Sequence, residues 1–242
     1  MNYKKPSKEA LNAWFIEAAK TGNIESLKRL LDQGADVNTR DNDRWTALTG
    51  AAVWKRLDAV KFLAEKGADV NARDNYGWTA LMRAAMWGHL DVVKLLVEQG
   101  AKVNARNNAG ETAMINAAYW RHLDVVKFLA ERGAKVNARD KDGWTALMRA
   151  AEEGHLDVVK FLAELGADLS AKNNEGKTVM MIARENSRKE VADYLDPLTQ
   201  FKERIESTGK GNDSLELKQG IRNILRTGQE YTAARHGVSY AV

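Results

Sequence analysis

The 242-residue sequence contains no cysteine, two prolines and four histidines. Without cysteine there are no disulfides, no thiol nucleophile and no cysteine-ligated metal, and a reducing cytoplasm suits the chain. No apolar run approaches the roughly 18–20 residues that a membrane-spanning helix needs, so no membrane partner is expected. The opening MNYKKPSKEALNAWF has basic residues but neither a long apolar core nor a small-residue cleavage site. It reads as a polar leader over residues 1–9 rather than a signal peptide. The net charge of +4 is mild for this length, and no DNA partner is expected from it. HExxH, a complete P-loop and any serine–histidine–acid arrangement are all missing, and the GKG at 209–211 is an isolated fragment. The chain is therefore read as a non-enzyme without cofactor or metal.

What is present is repetition. Thr46, Thr79, Thr112, Thr145 and Thr178 recur every 33 residues, as do Gly67, Gly100, Gly133 and Gly166. A fixed period of this size signals a solenoid of small supersecondary units. One unit, Asp74 to Arg106, reads DNYGWTALMRAAMWGHLDVVKLLVEQGAKVNAR. Its parts have physical roles. Thr79 is placed to cap a first helix. Ala84 and Ala85 are small enough for close helix approach. Gly88 marks a turn that wants positive φ. Leu90, Val93 and Leu96 keep helical spacing on a second helix, which Gly100 ends. Asp74-Asn75-Tyr76-Gly77 is turn chemistry at the tip of the connecting loop.

The TALMRAA, GHLDVV and GADVNA phrases resemble the ankyrin repeat in wording and in period, from about Ala10 to Leu195; GWTALM is a bacterial-looking variant of the family motif. The resemblance implies an all-α ankyrin-repeat solenoid of helix-turn-helix repeats linked by β-hairpin loops. The array occupies 1–195: an N-terminal cap at about 10–40, internal repeats at about 41–73, 74–106, 107–139 and 140–172, and a shortened repeat at about 173–195. Trp14, at the phase of Ala80, is expected to plug the N-terminal end. From Asp196 the period is lost and 196–242 reads as a short helical extension. Pro197 is placed to begin one helix there. Asp213 and Glu216 form a capping box for another, whose Leu217, Ile221, Ile224 and Leu225 share a face beside a basic stripe of Lys218, Arg222 and Arg226. His236 stands alone in the tail.

Histidines 89, 122 and 155 share one repeat phase, where the family uses the imidazole to tie loops together by hydrogen bonding. Being a full repeat apart, they lack ligand geometry. Tryptophan is the informative residue: six of the seven fall at two phases. Trp45, Trp78 and Trp144 follow the hairpin tip, where Glu111 takes the equivalent place. Trp54, Trp87 and Trp120 close the first helices. In ankyrin repeats these phases line the partner-binding groove; for Trp45, Trp78 and Trp144 the alternative is packing on the adjacent hairpin. Arg44, Lys55, Arg56, Arg83, Arg121 and Arg149 fall nearby, which makes the groove basic and aromatic over repeats two to four, with Glu152 and Glu153 beyond. Arg44, Lys55 and Arg121 stand where sister repeats carry glycine, and the broken local rule points to function.

The resemblance thus implies a cytoplasmic protein-binding scaffold. Its partner-binding candidates are Trp45, Trp54, Tyr76, Trp78, Arg83, Met86, Trp87, Glu111, Tyr119, Trp120, Arg121, Trp144 and Arg149, and a protein or peptide is the expected partner. The alternative is a nucleotide or small ligand, or a methylated lysine, held by tryptophan stacking and arginine contacts.

Overall fold

Each repeat is built from two short helices whose ends are written in the sequence. The computed structural model describes residues 6–207, with backbone alone at 201–207. Twelve helices lie among the described residues: α1 Lys8–Thr21, α2 Ile24–Asp32, α3 Ala47–Val53, α4 Leu57–Glu65, α5 Ala80–Met86, α6 Leu90–Glu98, α7 Ala113–Tyr119, α8 Leu123–Glu131, α9 Ala146–Glu153, α10 Leu156–Glu164, α11 Val179–Glu185 and α12 Lys189–Ser207. They fall into two compact units, Met1–Ala146 and Leu147–Val242.

The threonine hydroxyls cap the first helix of each repeat. Thr46, Thr79, Thr112 and Thr178 accept from the backbone N–H three residues on, satisfying one of the orphan donors at each helix start. Behind them the alanine pairs Ala51–Ala52, Ala84–Ala85 and Ala117–Ala118 are fully buried, and α3 packs on α5 and α5 on α7. Val92, Val93 and Leu96 of α6 are completely buried. Leu90 is only half-buried, because it is the first residue of that helix. Gly100 then ends α6 in the left-handed region at φ 88, and Ala101 N–H closes the turn onto Leu96 O at 2.9 Å.

Neighbouring repeats are laced along their loops. Asn38, Asn71 and Asn104 each donate to a glycine carbonyl of the next repeat and accept from a backbone N–H there. Arg40, Arg73 and Arg106 each donate to the carbonyl 33 residues on. The expected hairpins form as tight turns: Asp74 N–H donates to Trp78 O at 3.0 Å, and Asn107 N–H to Glu111 O at 3.0 Å. They do not extend into strands. Among the described residues the pairing amounts to one isolated antiparallel bridge, Arg40 with Thr46. The backbone instead bonds sideways, as from Asn108 N–H to Tyr76 O at 2.9 Å.

Two expectations fail at the ends. Trp14 is 54% exposed and plugs nothing. Its counterparts Ala47, Ala80 and Ala113 are buried because another repeat covers that phase, whereas among the described residues none covers Trp14. Pro197 starts no new helix; it lies inside the continuous α12, flanked by fully buried Leu195 and Leu198. That packing within the second unit, on α10 and α11, outweighs the one backbone bond a proline forfeits. The boundary placed near 195 therefore falls within a helix. The capping box at Asp213, the stripe of Lys218, Arg222 and Arg226, the GKG fragment and His236 lie outside the described residues.

Candidate functional site

The first unit carries two tryptophan rows with different surroundings. Trp54, Trp87 and Trp120 are the C-cap residues of α3, α5 and α7, with φ near −90. The next residue turns the chain through the left-handed region: Lys55 at φ 54, Gly88 at 68 and Arg121 at 62. That sharp turn ends the helix just where the indole emerges, so each ring stands out. Exposures are 57% for Trp54, 54% for Trp87 and 49% for Trp120. Trp120 meets Tyr119 edge to face at 5.2 Å, an arrangement the ring quadrupoles favour. Met86 and Tyr119 are half-buried beside the row, and Tyr76 on its loop tip is 65% exposed.

The other row is engaged in structure. Trp45 and Trp78 are half-buried and hold the Arg83 guanidinium, whose carbon lies 5.1 Å from the Trp45 ring and 4.4 Å from the Trp78 ring. Arg83 Nη2 reaches Asp74 Oδ2 at 2.7 Å, while Asp74 Oδ1 accepts from Tyr76 N–H and Trp78 N–H, both at 2.9 Å. One arginine thus bridges the tryptophans of two successive repeats and neutralises a buried carboxylate. Trp144 is half-buried and its N–H donates to Asp140 Oδ1 at 2.8 Å. Glu111 Oε2 accepts from Asn107 Nδ2 at 2.6 Å. In the second unit, Arg149 Nη1 lies 3.3 Å from Glu152 Oε2.

The basic character expected of this surface is consequently redistributed. Arg83 is spent on Asp74, and Arg44, Lys55, Arg56 and Arg121 are the exposed cations beside the tryptophans. Asp74 was not among the candidates, although its signal is visible: an arginine stands nine residues after Asp74 and after Asp140, whereas Asn107 has Glu111 and, at the ninth place, Asn116.

His89 and His122 tie neighbouring repeats together. His89 Nε2 lies 3.0 Å from Val53 O, and His122 Nε2 the same distance from Met86 O. Arginine does the same work elsewhere, from Arg56 Nε to Lys20 O at 3.0 Å and from Arg188 Nε to Glu152 O at 2.8 Å. Among the described residues no cluster of side chains is arranged to hold a metal, and no helix is long and apolar enough to cross a membrane.

Capped helix pairs at a 33-residue period, laced by asparagine and arginine ladders, define a helical repeat protein. The sequence pattern of ankyrin repeats in three copies matches at residues 15–107, 73–140, 101–173 and 137–200, and the chain belongs to the ankyrin-repeat family. Ankyrin repeats are in general protein-interaction modules and typically non-enzymatic. Curated relatives match over a short stretch. The mitochondrial disaggregase of Bos taurus is 46% identical over 50 residues, which is 21% of this chain and 7% of that protein. The mitochondrial disaggregase of Homo sapiens is 44% identical over 50 residues, with the same coverage. The matched stretch thus spans about a fourteenth of the length of these relatives.

Proposed function

We propose that the chain is a non-enzymatic scaffold that captures a protein or peptide partner on the row of Trp54, Trp87 and Trp120. The observation that carries this reading is their exposure at one phase of three consecutive repeats, while the alanine pairs on the same helices are fully buried. Isolated exposed apolar residues need no explanation, but an aligned set of large aromatics is the composition of a binding hot spot. Tyr76 and the half-buried Met86 and Tyr119 extend the apolar surface. The repeat lattice holds all of it preformed, so binding costs little ordering entropy. A cysteine-free chain suits the cytoplasm as the place of action.

The nucleotide and methyl-lysine readings find less support. Where two indoles and a carboxylate converge, at Trp45, Trp78 and Asp74, the space is filled by Arg83, the same cation a nucleotide reading needs for phosphate.

Capture from a native lysate, with the Trp54→Ala/Trp87→Ala/Trp120→Ala triple variant as control, tests the reading. The wild-type chain should retain a partner that the triple variant loses. Trp87→Ala alone should leave unfolding within about 0.5 kcal/mol, as surface substitutions do. Unfolding of that variant would show the row to be core and remove the proposal.

A further inference from the structure

We propose that His122 and His89 are positioning residues for the tryptophan row: each fixes the backbone that carries an indole and leaves the face of the ring to a partner. This rests on the reading of the row as a binding surface.

The geometry is clearest at Trp87. Met86 is the last residue of α5, so its carbonyl has no intrahelical donor left. His122 Nε2 lies 3.0 Å from that Met86 O, just before Trp87 in the chain. A carbonyl can only accept, so this ring nitrogen carries the proton. The same imidazole lies against the residue just after Trp87. A Cβ built on Gly88 would fall within 2.8 Å of three of its ring atoms. His122 therefore clasps the chain on both sides of the indole, while the indole itself stays 54% exposed. His89 Nε2 makes the equivalent contact at 3.0 Å with Val53 O, just before Trp54. Each histidine stands two residues after the next indole of the row, His89 after Trp87 and His122 after Trp120. Its own backbone is pinned, with His89 N–H on Ala84 O at 3.0 Å and His122 N–H on Ala117 O at 2.9 Å. The turns that carry the three indoles are thus linked one to the next.

Arginine makes the same tie where no tryptophan stands. Arg56 Nε donates to Lys20 O at 3.0 Å, and the residue after that carbonyl is Thr21. Arg188 Nε donates to Glu152 O at 2.8 Å, and the residue after that one is Glu153. The fit against the turn glycine is alike: a Cβ on Gly22 would meet Arg56 Cδ at 3.0 Å, and one on Gly154 would meet Arg188 Cδ at 2.9 Å. The difference is what the side chain does to its neighbour. Arg188 Nη2 comes within 3.9 Å of Glu153 Oε2, at the phase of Trp87. A guanidinium beside Trp87 would take the indole for itself, as Arg83 takes Trp45 and Trp78. An imidazole supplies the donor and has no arm left to reach over the ring.

Fluorine NMR of the full chain labelled with fluorotryptophan tests this, the Trp87 signal being assigned from Trp87→Phe. His122→Ala should shift and narrow the Trp87 signal, as for a ring freed to move on the nanosecond scale, and leave the Trp14 signal in place. It should also lower the melting temperature and the retention of the lysate partner that the tryptophan triple variant loses. His122→Arg should recover the melting temperature, because the tie is restored. Its Trp87 signal should differ from both the wild-type and the alanine positions, and partner retention should stay severalfold below wild type. A tie of purely structural value would be replaced in full by arginine, as at Arg56 and Arg188.

An unchanged Trp87 signal in His122→Ala overturns the proposal, as does His122→Arg with both signal and partner kept as in wild type. Should His122→Ala fail to fold, the arginine variant carries the test alone. If the signals respond as expected and the wild-type chain retains no partner, the clasp stands and the binding surface falls. If the partner is retained and the Trp87 signal does not respond, the binding surface stands and the positioning role falls.

Discussion

Arg83 and Asp74 form an ion pair at 2.7 Å in which the carboxylate side chain is fully buried and the arginine side chain is 18% exposed. A charge buried to that degree is tolerated only while its partner remains. Arg83→Ala should therefore cost about 3 kcal/mol in denaturant unfolding, far more than its position near the surface suggests. Asp74→Asn in the same chain should recover part of the loss, because the stranded charge is gone. Arg83→Lys should recover little, since an ammonium cannot stack flat between Trp45 and Trp78. Additive single-variant losses in the double-mutant cycle would show that the pair is not coupled.

The turns after Trp54 and Trp120 give a prediction of opposite sign. Lys55 at φ 54 and Arg121 at φ 62 occupy backbone that glycine adopts freely. Lys55→Gly and Arg121→Gly should each leave stability unchanged or raise it by up to about 1 kcal/mol, the left-handed penalty offsetting the greater entropy of an unfolded glycine. Thermal melts of the two variants check this, and clear destabilisation of both would remove the strain argument.

The lattice of this protein was legible because its signals are local and repeated. A threonine, two alanines and a glycine at fixed offsets each carry their own reason, and the structure shows Thr79, Ala84, Ala85 and Gly100 in those roles. The less legible features depend on what a residue meets across the fold. Arg83 counted as groove charge in the sequence because its phase is open; Asp74 and two indoles claim it in three dimensions. Trp14 looked like a plug because its phase is apolar elsewhere, yet that phase is buried only where a preceding repeat lies on it. Pro197 read as a helix start because local chemistry says so, and tertiary packing overrode it.

Leu198 tests where the array ends. It lies one residue beyond Pro197 in α12 and is fully buried, and α12 packs on α10 and α11. Leu198→Ala should cost about 2–5 kcal/mol, the usual loss for a buried leucine. The effect should appear in the transition that reports the second unit. A variant as stable as wild type would show that the repeat packing stops before Pro197 and that the rest of α12 is an appendage.

Tyr194 supplies the pH dependence. Its hydroxyl is buried without a hydrogen-bond partner, and Lys160 sits over its ring at 5.6 Å. Burial first, and the neighbouring Glu164 carboxylate second, hold its ionisation well above the ordinary value of 10.0. The folded protein thus keeps this proton longer than the unfolded chain does. Its contribution to stability is complete below the unfolded value and is lost as pH rises from about 10, where the unfolded chain ionises first. Tyr194→Phe keeps the ring under Lys160 and removes the ionising group. At neutral pH it should match or exceed the wild type, by up to about 1 kcal/mol, since a buried hydroxyl without a partner is a cost. Between pH 9 and 11 the stability gap should widen in favour of the phenylalanine variant. Urea melts of both proteins across that range decide the matter: parallel curves would mean that Tyr194 ionises as readily in the folded protein as in the unfolded chain.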